Sequence, residues 1–249
     1  MRTALTVLSA GVICAAAVLA QQRSFIACPI VRDTRTVPCY LAEYDGETYF
    51  LGIQQDITSD FHPPQLKHEV LVEGTVAPGP RVCGGIPLRP AAISVIKDVN
   101  LGCDTLLPAE TGIDAPPAQR GAGPSSEPLE TAAPARHLSG RQEFTVRYSF
   151  DDDFPDFGAQ KTVTEAAEYA KGIHAASMKI VGYRAMSLLS NGQQLTEKAG
   201  LAEKRAQEVA TLVRGLGVPN VAVDWHAEAE PADGKSDPSR RRVTVTVIP

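Results

Sequence analysis

An arginine inside a helical stretch can hold a carboxylate through two parallel hydrogen bonds, and Arg205 in the run GLAEKRAQEV (200–209) offers that chemistry. The same spacing fits an ordinary amphipathic helix, so the residue alone decides nothing. Four carboxylates, Asp151, Asp152, Asp153 and Asp156, crowd the segment FDDDFPDFG. They lack the alternating acids and distal bidentate Glu of a calcium loop and read as a solvated strand exit. Arg240, Arg241 and Arg242 precede a β-branched run, where they could meet a phosphate or carboxylate or form a charged strand edge. The 5 histidines are scattered, none at metal-ligand spacing. His174 and His226 read as surface or boundary residues. No Gly-Lys-Ser/Thr loop, nucleophile elbow or CxxC pair occurs. With no nucleophile set beside a base, the sequence points away from an enzyme and requires no cofactor or metal.

The cysteines carry a different chemistry. The chain begins with Arg2, an uncharged apolar run from Ala4 to Leu19, and then Gln21-Gln22-Arg23. Val18-Leu19-Ala20 fits the small-residue rule for cleavage before Gln21, which makes residues 1–20 a signal peptide. The alternative is an uncleaved anchor giving membrane association. Ile13 before Cys14 is too large for a lipoprotein signal. After the signal, Cys28, Cys39, Cys83 and Cys103 remain, all in the first half. In an exported β-rich region they read as disulfides, with zinc as the rival. Four cysteines allow three pairings; the expectation is the sequential one, Cys28–Cys39 and Cys83–Cys103. The net charge of -5 offers no attraction to nucleic acid.

The elements that must position these residues divide the chain in two. Residues 21–107 read as a small all-β barrel of OB or SH3 type, built from four or five strands and stapled by the disulfides. Its clearest hairpin is CYLAEYDGETYFLGI, turning at Asp45-Gly46. HEVLVEGTVA and AAISVIKDVN supply further strands. Residues 108–140, rich in Pro, Ala, Gly and Ser, read as a flexible linker spanning on the order of 30 Å, which would leave the two modules free to engage separate partners. From 141 to 249 the pattern alternates as β-α-β-α-β-β, an α/β sandwich with two helices over one face of a mixed sheet. The first helix is expected over 162–176, opened by a Thr162–Glu165 capping box. The second is expected over 195–217, with Ala202, Ala206, Val209, Val213 and Leu216 on one face and Gly217 as its stop.

Within the second module, RYSFDDDF, IVGYRA, LAEKRAQEV, LGVPN and RRRVTVTV follow in order. In that order they resemble the first strand, the Gly-His/Tyr-Thr-Asp turn, the Leu-Ser-x-x-Arg-Ala-x-x-Val helix, the connector and the Asn-Arg-Arg-Val final strand of the C-terminal domain of outer-membrane protein A. That domain is shared with peptidoglycan-associated lipoproteins and flagellar motor stators, and the resemblance runs from Phe144 to Ile248. It implies non-covalent peptidoglycan binding. The zwitterionic diaminopimelate tip is held by the turn's Asp and the helix's Arg. Arg205 matches that Arg. Ala185 stands where the Asp belongs, Lys198 where the family has Asn and Ala202 where it has Ser. Arg184 brings a like charge to the turn. The segment from Ala185 to Leu201 is longer than the family's usual, and Glu197 within it is the nearest candidate to supply an acid. Arg241 belongs to the Arg pair that helps hold the family's domain and site together.

Losing one partner of a buried charged pair costs about 2–5 kcal/mol. The expectation is therefore an exported protein of the periplasm or outer-membrane envelope of a Gram-negative-type cell, binding peptidoglycan weakly or in altered form. The alternative is an envelope assembly module, with other envelope proteins as partners and a decayed site. Ala185→Asp is expected to strengthen wall binding by restoring an anion opposite Arg205.

Overall fold

Asp45 and Gly46 both take positive φ, 53° and 73°, as a two-residue hairpin turn demands. The turn joins two antiparallel strands within a larger sheet. The computed structural model describes residues 21–54, 63–117 and 140–249. The expected signal peptide and most of the expected linker lie outside the described residues.

The first half is a curled seven-stranded sheet: β1 (Gln22–Ala27), β2 (Pro29–Arg32), β3 (Cys39–Tyr44), β4 (Glu47–Ile53), β5 (His68–Val76), β6 (Ile86–Val99) and β7 (Thr105–Leu107), in the order β1-β5-β6-β4-β3-β2-β7. Four or five strands were expected; β1, β2 and β7 are too short and too interrupted to show alternation. The curl is visible in the side chains. Phe25 of edge strand β1 stacks on Tyr44 of β3 at 4.6 Å and leans on Tyr49 of β4 at 5.5 Å, although three strands separate β1 from β3 in the sheet. Phe25, Tyr49, Val70, Val72 and Ile93 fill the enclosed core.

The disulfides are Cys28–Cys103 and Cys39–Cys83, so the sequential pairing is corrected to a nested one. The physical reason is the sheet order. β2 lies between β3 and β7, which brings Cys28 beside Cys103 and sets Cys39 facing Cys83 across a buried cluster. Each loop taken alone is worth about 4 kcal/mol in the chain-entropy account. Residues 108–117 also depart from the linker expectation. Ile113 and Ala115 pack on the second core cluster, Glu110 pairs with Arg32 at 3.1 Å, and Asp114 pairs with Arg35. Two apolar side chains and two ion pairs fasten a segment whose composition reads as loose.

The second half contains β8 (Gln142–Arg147), α1 (Phe157–Gly172), β9 (Ser177–Gly182), a hairpin of β10 (Met186–Leu188) and β11 (Gln194–Thr196), α2 (Leu201–Gly215), β12 (Val221–Trp225), α3 (Asp237–Arg240) and β13 (Arg242–Ile248). The main sheet runs β12-β9-β13-β8, with β12 parallel to β9 and the last strand antiparallel to both its neighbours. α1 and α2 bury Val163, Ala166, Ala167, Ala206, Val209 and Val213 against it.

Both helix starts move. The cap of α1 is Asp156, whose side chain accepts from the Ala159 N–H at 2.7 Å; Thr162 lies inside the helix and donates to the Gly158 carbonyl. α2 begins at Leu201 because Gly200 turns left-handed (φ 80°) and residues 194–196 are a strand. Leu216 lies past the last turn and is exposed.

The halves pack together. Along β1, β5 and β6, alternate residues turn away from the core enclosed by the curled sheet: Ser24 and Ile26, Leu71 and Glu73, Ser94 and Ile96. Leu71 forms a buried cluster with Phe150 and Leu189, joined by Ile26, Ile96 and Leu195. This contact replaces the expected pair of independently tethered modules.

Candidate functional site

α2 carries its buried stripe on Leu201, Ala202, Arg205, Ala206, Val209, Ala210 and Val213. Arg205 sits in the middle of that stripe, and its side chain is 0% exposed. A guanidinium has five N–H groups, and an unpaired one buried away from water is costly. All five are satisfied. Nε donates to the Asp152 carbonyl at 2.7 Å. Nη1 donates to the Tyr183 carbonyl and to Glu197 Oε2, each at 3.1 Å. Nη2 donates to the Ser149 carbonyl at 3.1 Å and to Glu197 Oε1 at 2.7 Å.

Glu197 is equally buried. Its Oε1 also accepts from the Asp151 N–H at 3.0 Å and its Oε2 from the Ala185 N–H at 2.8 Å. Four donors therefore converge on one carboxylate. The Arg205 guanidinium lies over the Tyr148 ring at 4.7 Å, and burial pushes the Tyr148 phenol well above its ordinary pKa against the pull of the Arg205 charge. The arrangement is a buried ion pair in which the guanidinium grips a carboxylate of the same chain.

Gly182 explains how α2 comes so close. A Cβ there would lie 2.0 Å from the Ala202 carbonyl oxygen and 3.1 Å from the Ala206 Cβ. The end of β9 thus lies directly under the first turn of α2, which places the Tyr183 carbonyl against Arg205.

Of the other expected site residues, Ala185 and Arg184 both reach Glu197, Lys198 turns outward, and Arg241 lies in a different cluster. Ala185 is fully buried, forms a bridge with Glu230 and caps Glu197 through its N–H. It faces no cleft, so a carboxylate at 185 would be buried beside Glu197, and the gain expected from Ala185→Asp does not follow. Arg184 is a brace rather than a charge aimed at Arg205's acceptor site: Nε donates to the Ala227 carbonyl at 2.7 Å and Nη1 to the Glu197 carbonyl at 2.6 Å. Lys198 is exposed, with its N–H on Asp151 Oδ1 at 2.8 Å and its ammonium 3.3 Å from Asp151 Oδ2. Asp151 to Asp153 thus form a loop over the site, paired with Lys97, Lys198 and Lys204.

Arg241 belongs to a second buried cluster. It is 1% exposed, with Nη2 on Glu73 Oε2 at 2.6 Å and Nη1 on Glu73 Oε1 at 3.2 Å and on Ser187 Oγ at 2.9 Å. Ser187 in turn donates to Glu73 at 2.9 Å. This pair joins the first half to the second. Its neighbours in the arginine run go elsewhere: Arg240 pairs with Asp233, and Arg242 pairs with Glu230 and lies 4.2 Å over the Tyr183 ring.

Two residues that organise the site were missed. Glu73 is one, and its signal was a charge embedded in the apolar run VLVEGTV. Asp237 is the other; it is buried and accepts from the N–H groups of Leu188, Asp233 and Gly234, fixing the hairpin that leads to Glu197.

No protein-family model matches the sequence, and no curated protein does. Among solved structures, the chain is similar to the OmpA-like domain of FopA1 from Francisella tularensis, at 22% identity and a TM-score of 0.35, over 44% of this chain and 73% of that one. It is also similar to a putative MotB-like protein from Desulfovibrio vulgaris, at 12% identity and a TM-score of 0.34, over 44% of this chain and 76% of that one.

Proposed function

We propose that this chain is an exported cell-envelope protein whose OmpA-like half carries a peptidoglycan-type carboxylate site held closed by its own Glu197. Association with the wall is therefore weak while the site is closed. The order of the motifs from Phe144 to Ile248 supports the family reading, and two disulfides suit an oxidising compartment. Among the described residues, no helix is long and apolar enough to cross a membrane. The observation that carries the closed state is the saturation of Arg205, with every N–H engaged inside the protein and two of the five on Glu197.

Retention on purified peptidoglycan sacculi tests this reading. The wild type is expected to be retained weakly. Glu197→Ala, confirmed folded by circular dichroism, is expected to be retained more strongly, and the gain should vanish in Glu197→Ala/Arg205→Ala. A folded Glu197→Ala that gains nothing would overturn wall binding. It would leave the second reading, an envelope assembly module that uses the fold without a sugar-peptide ligand. The saturated guanidinium and the docked halves favour that reading equally.

A further inference from the structure

The shell around Arg205 draws on three segments: the end of β9, which gives the Tyr183 carbonyl, and two others, both of which the first half of the chain grips. One segment is the loop from Ser149 to Asp153. It gives the Ser149 and Asp152 carbonyls to Arg205 and the Asp151 N–H to Glu197. Strand β6 holds that loop from the other side: Ser94 Oγ accepts from the Phe150 N–H at 2.9 Å in a buried position, and the Lys97 ammonium lies 3.3 Å from Asp152 and 3.7 Å from Asp153. The other segment is the β10–β11 hairpin, which runs into Glu197 directly after β11. Its turn is tied to the edge of β1. The Ser24 N–H donates to Ser190 Oγ at 2.9 Å, and the Ser190 N–H donates to the Ser24 carbonyl at 2.7 Å. Its first strand is held through Ser187 on Glu73, beside Arg241.

We infer that the N-terminal sheet is an intramolecular latch: while it is docked it keeps Glu197 on Arg205, and its release opens Arg205 to a carboxylate from outside the chain. The inference rests on the reading of Arg205 as the ligand site. Its structural half, the coupling of interface to shell, stands apart from any ligand. Undocking removes the first-half anchors of the loop and of the hairpin together, and leaves the hairpin held on one side, by Asp237 and Glu230. Glu197 then loses the Asp151 donor and the fixed approach from β11, and the guanidinium loses two carbonyl acceptors. A carboxylate from a ligand replaces what the chain withdraws. The Glu73–Arg241 pair is the natural point of release, because it is a buried charge pair shared between the halves and lies outside the Arg205 shell.

The test is hydrogen exchange on the full chain, read at the two amides that report closure, Ala185 and Asp151. Glu73→Arg sets two cations against each other at the interface and leaves every residue of the Arg205 shell in place. The expected result is exchange at Ala185 and Asp151 faster by about tenfold or more, with β13 amides still protected. Faster exchange at the interface amides of Ser24 and Ser190, with Ala185 and Asp151 as slow as in the wild type, would overturn the latch. If Glu73→Arg also exposes β13, the milder Ser94→Ala/Lys97→Ala variant removes two tethers without burying a charge and is judged by the same two outcomes. Sacculus retention of the opened variant then separates the two proposals. Faster exchange with retention that depends on Arg205 supports both. Faster exchange without retention keeps the latch and overturns the peptidoglycan reading.

Discussion

A buried cation is stable only in company, and Arg205 has a full complement of acceptors from its own chain. Removing either member of the Arg205–Glu197 pair leaves the other charge buried and unpaired, which costs about 3–5 kcal/mol. Arg205→Ala and Glu197→Ala are each expected to lower stability by that order in urea unfolding. The double variant should lose less than the sum of the two, because it strands no charge. Additive losses would mean the pair is not coupled as its 2.7 Å contact indicates. Part of this was legible. Arg205 stands between Leu201 and Val209 at four-residue steps, squarely in the apolar stripe, and Glu197 was the acid nearest the expected site. That the two meet with no cleft between them was not legible, since it depends on the Asp151 and Ala185 N–H groups arriving from separate elements. The arginine run 240–242 was opaque for the same reason. Three adjacent guanidiniums take three different partners, and Glu73, the partner of Arg241, is 168 residues away.

At the scale of elements, the close crossing of β9 and α2 decides where the guanidinium lies. Gly182 permits it, and a methyl group there meets the Ala202 backbone carbonyl rather than a yielding side chain. Gly182→Ala is expected to cost about 1–3 kcal/mol by overpacking, with a larger share of the disturbance at the Arg205 shell than at α1. Chemical shifts of the Tyr183 and Ala185 amides should move while those of Val163 to Ala170 hold; uniform shifts across both helices would count against this placement. The alternation of short and long apolar periods made the two helices and the main sheet readable. The end of β11 was hidden inside an expected longer helix, since LTEKAG has good helix formers and the break before α2 is marked only by the left-handed Gly200. The cap of α1 was misplaced because Thr162 and Glu165 satisfy the capping pattern nearly two turns too late, while Asp156 was read as part of an acidic exit.

For the molecule as a whole, the question is whether two halves of different architecture behave as one. Composition marked a linker and so suggested independence. The face that joins the halves is built from every second residue of three strands, and a single strand read alone could not show that its outward positions are covered. The covalent constraints lie entirely in the first half, whereas the chain's 1 tryptophan, Trp225, lies on β12 in the second. That separation allows a direct test of coupling. Reducing both disulfides releases loop entropy worth about 4 kcal/mol per loop to the unfolded first half. If the halves unfolded independently, the urea midpoint reported by Trp225 would not move. With Leu71, Phe150 and Leu189 buried together and Glu73 paired with Arg241 across the contact, the midpoint is expected to fall on reduction. In Glu73→Arg the Trp225 transition should become insensitive to reduction, because the first half no longer lends its stability to the second. A Trp225 midpoint indifferent to the disulfides in the wild type would mean that the contact is too weak to transmit stability, and too weak to hold the Arg205 shell closed.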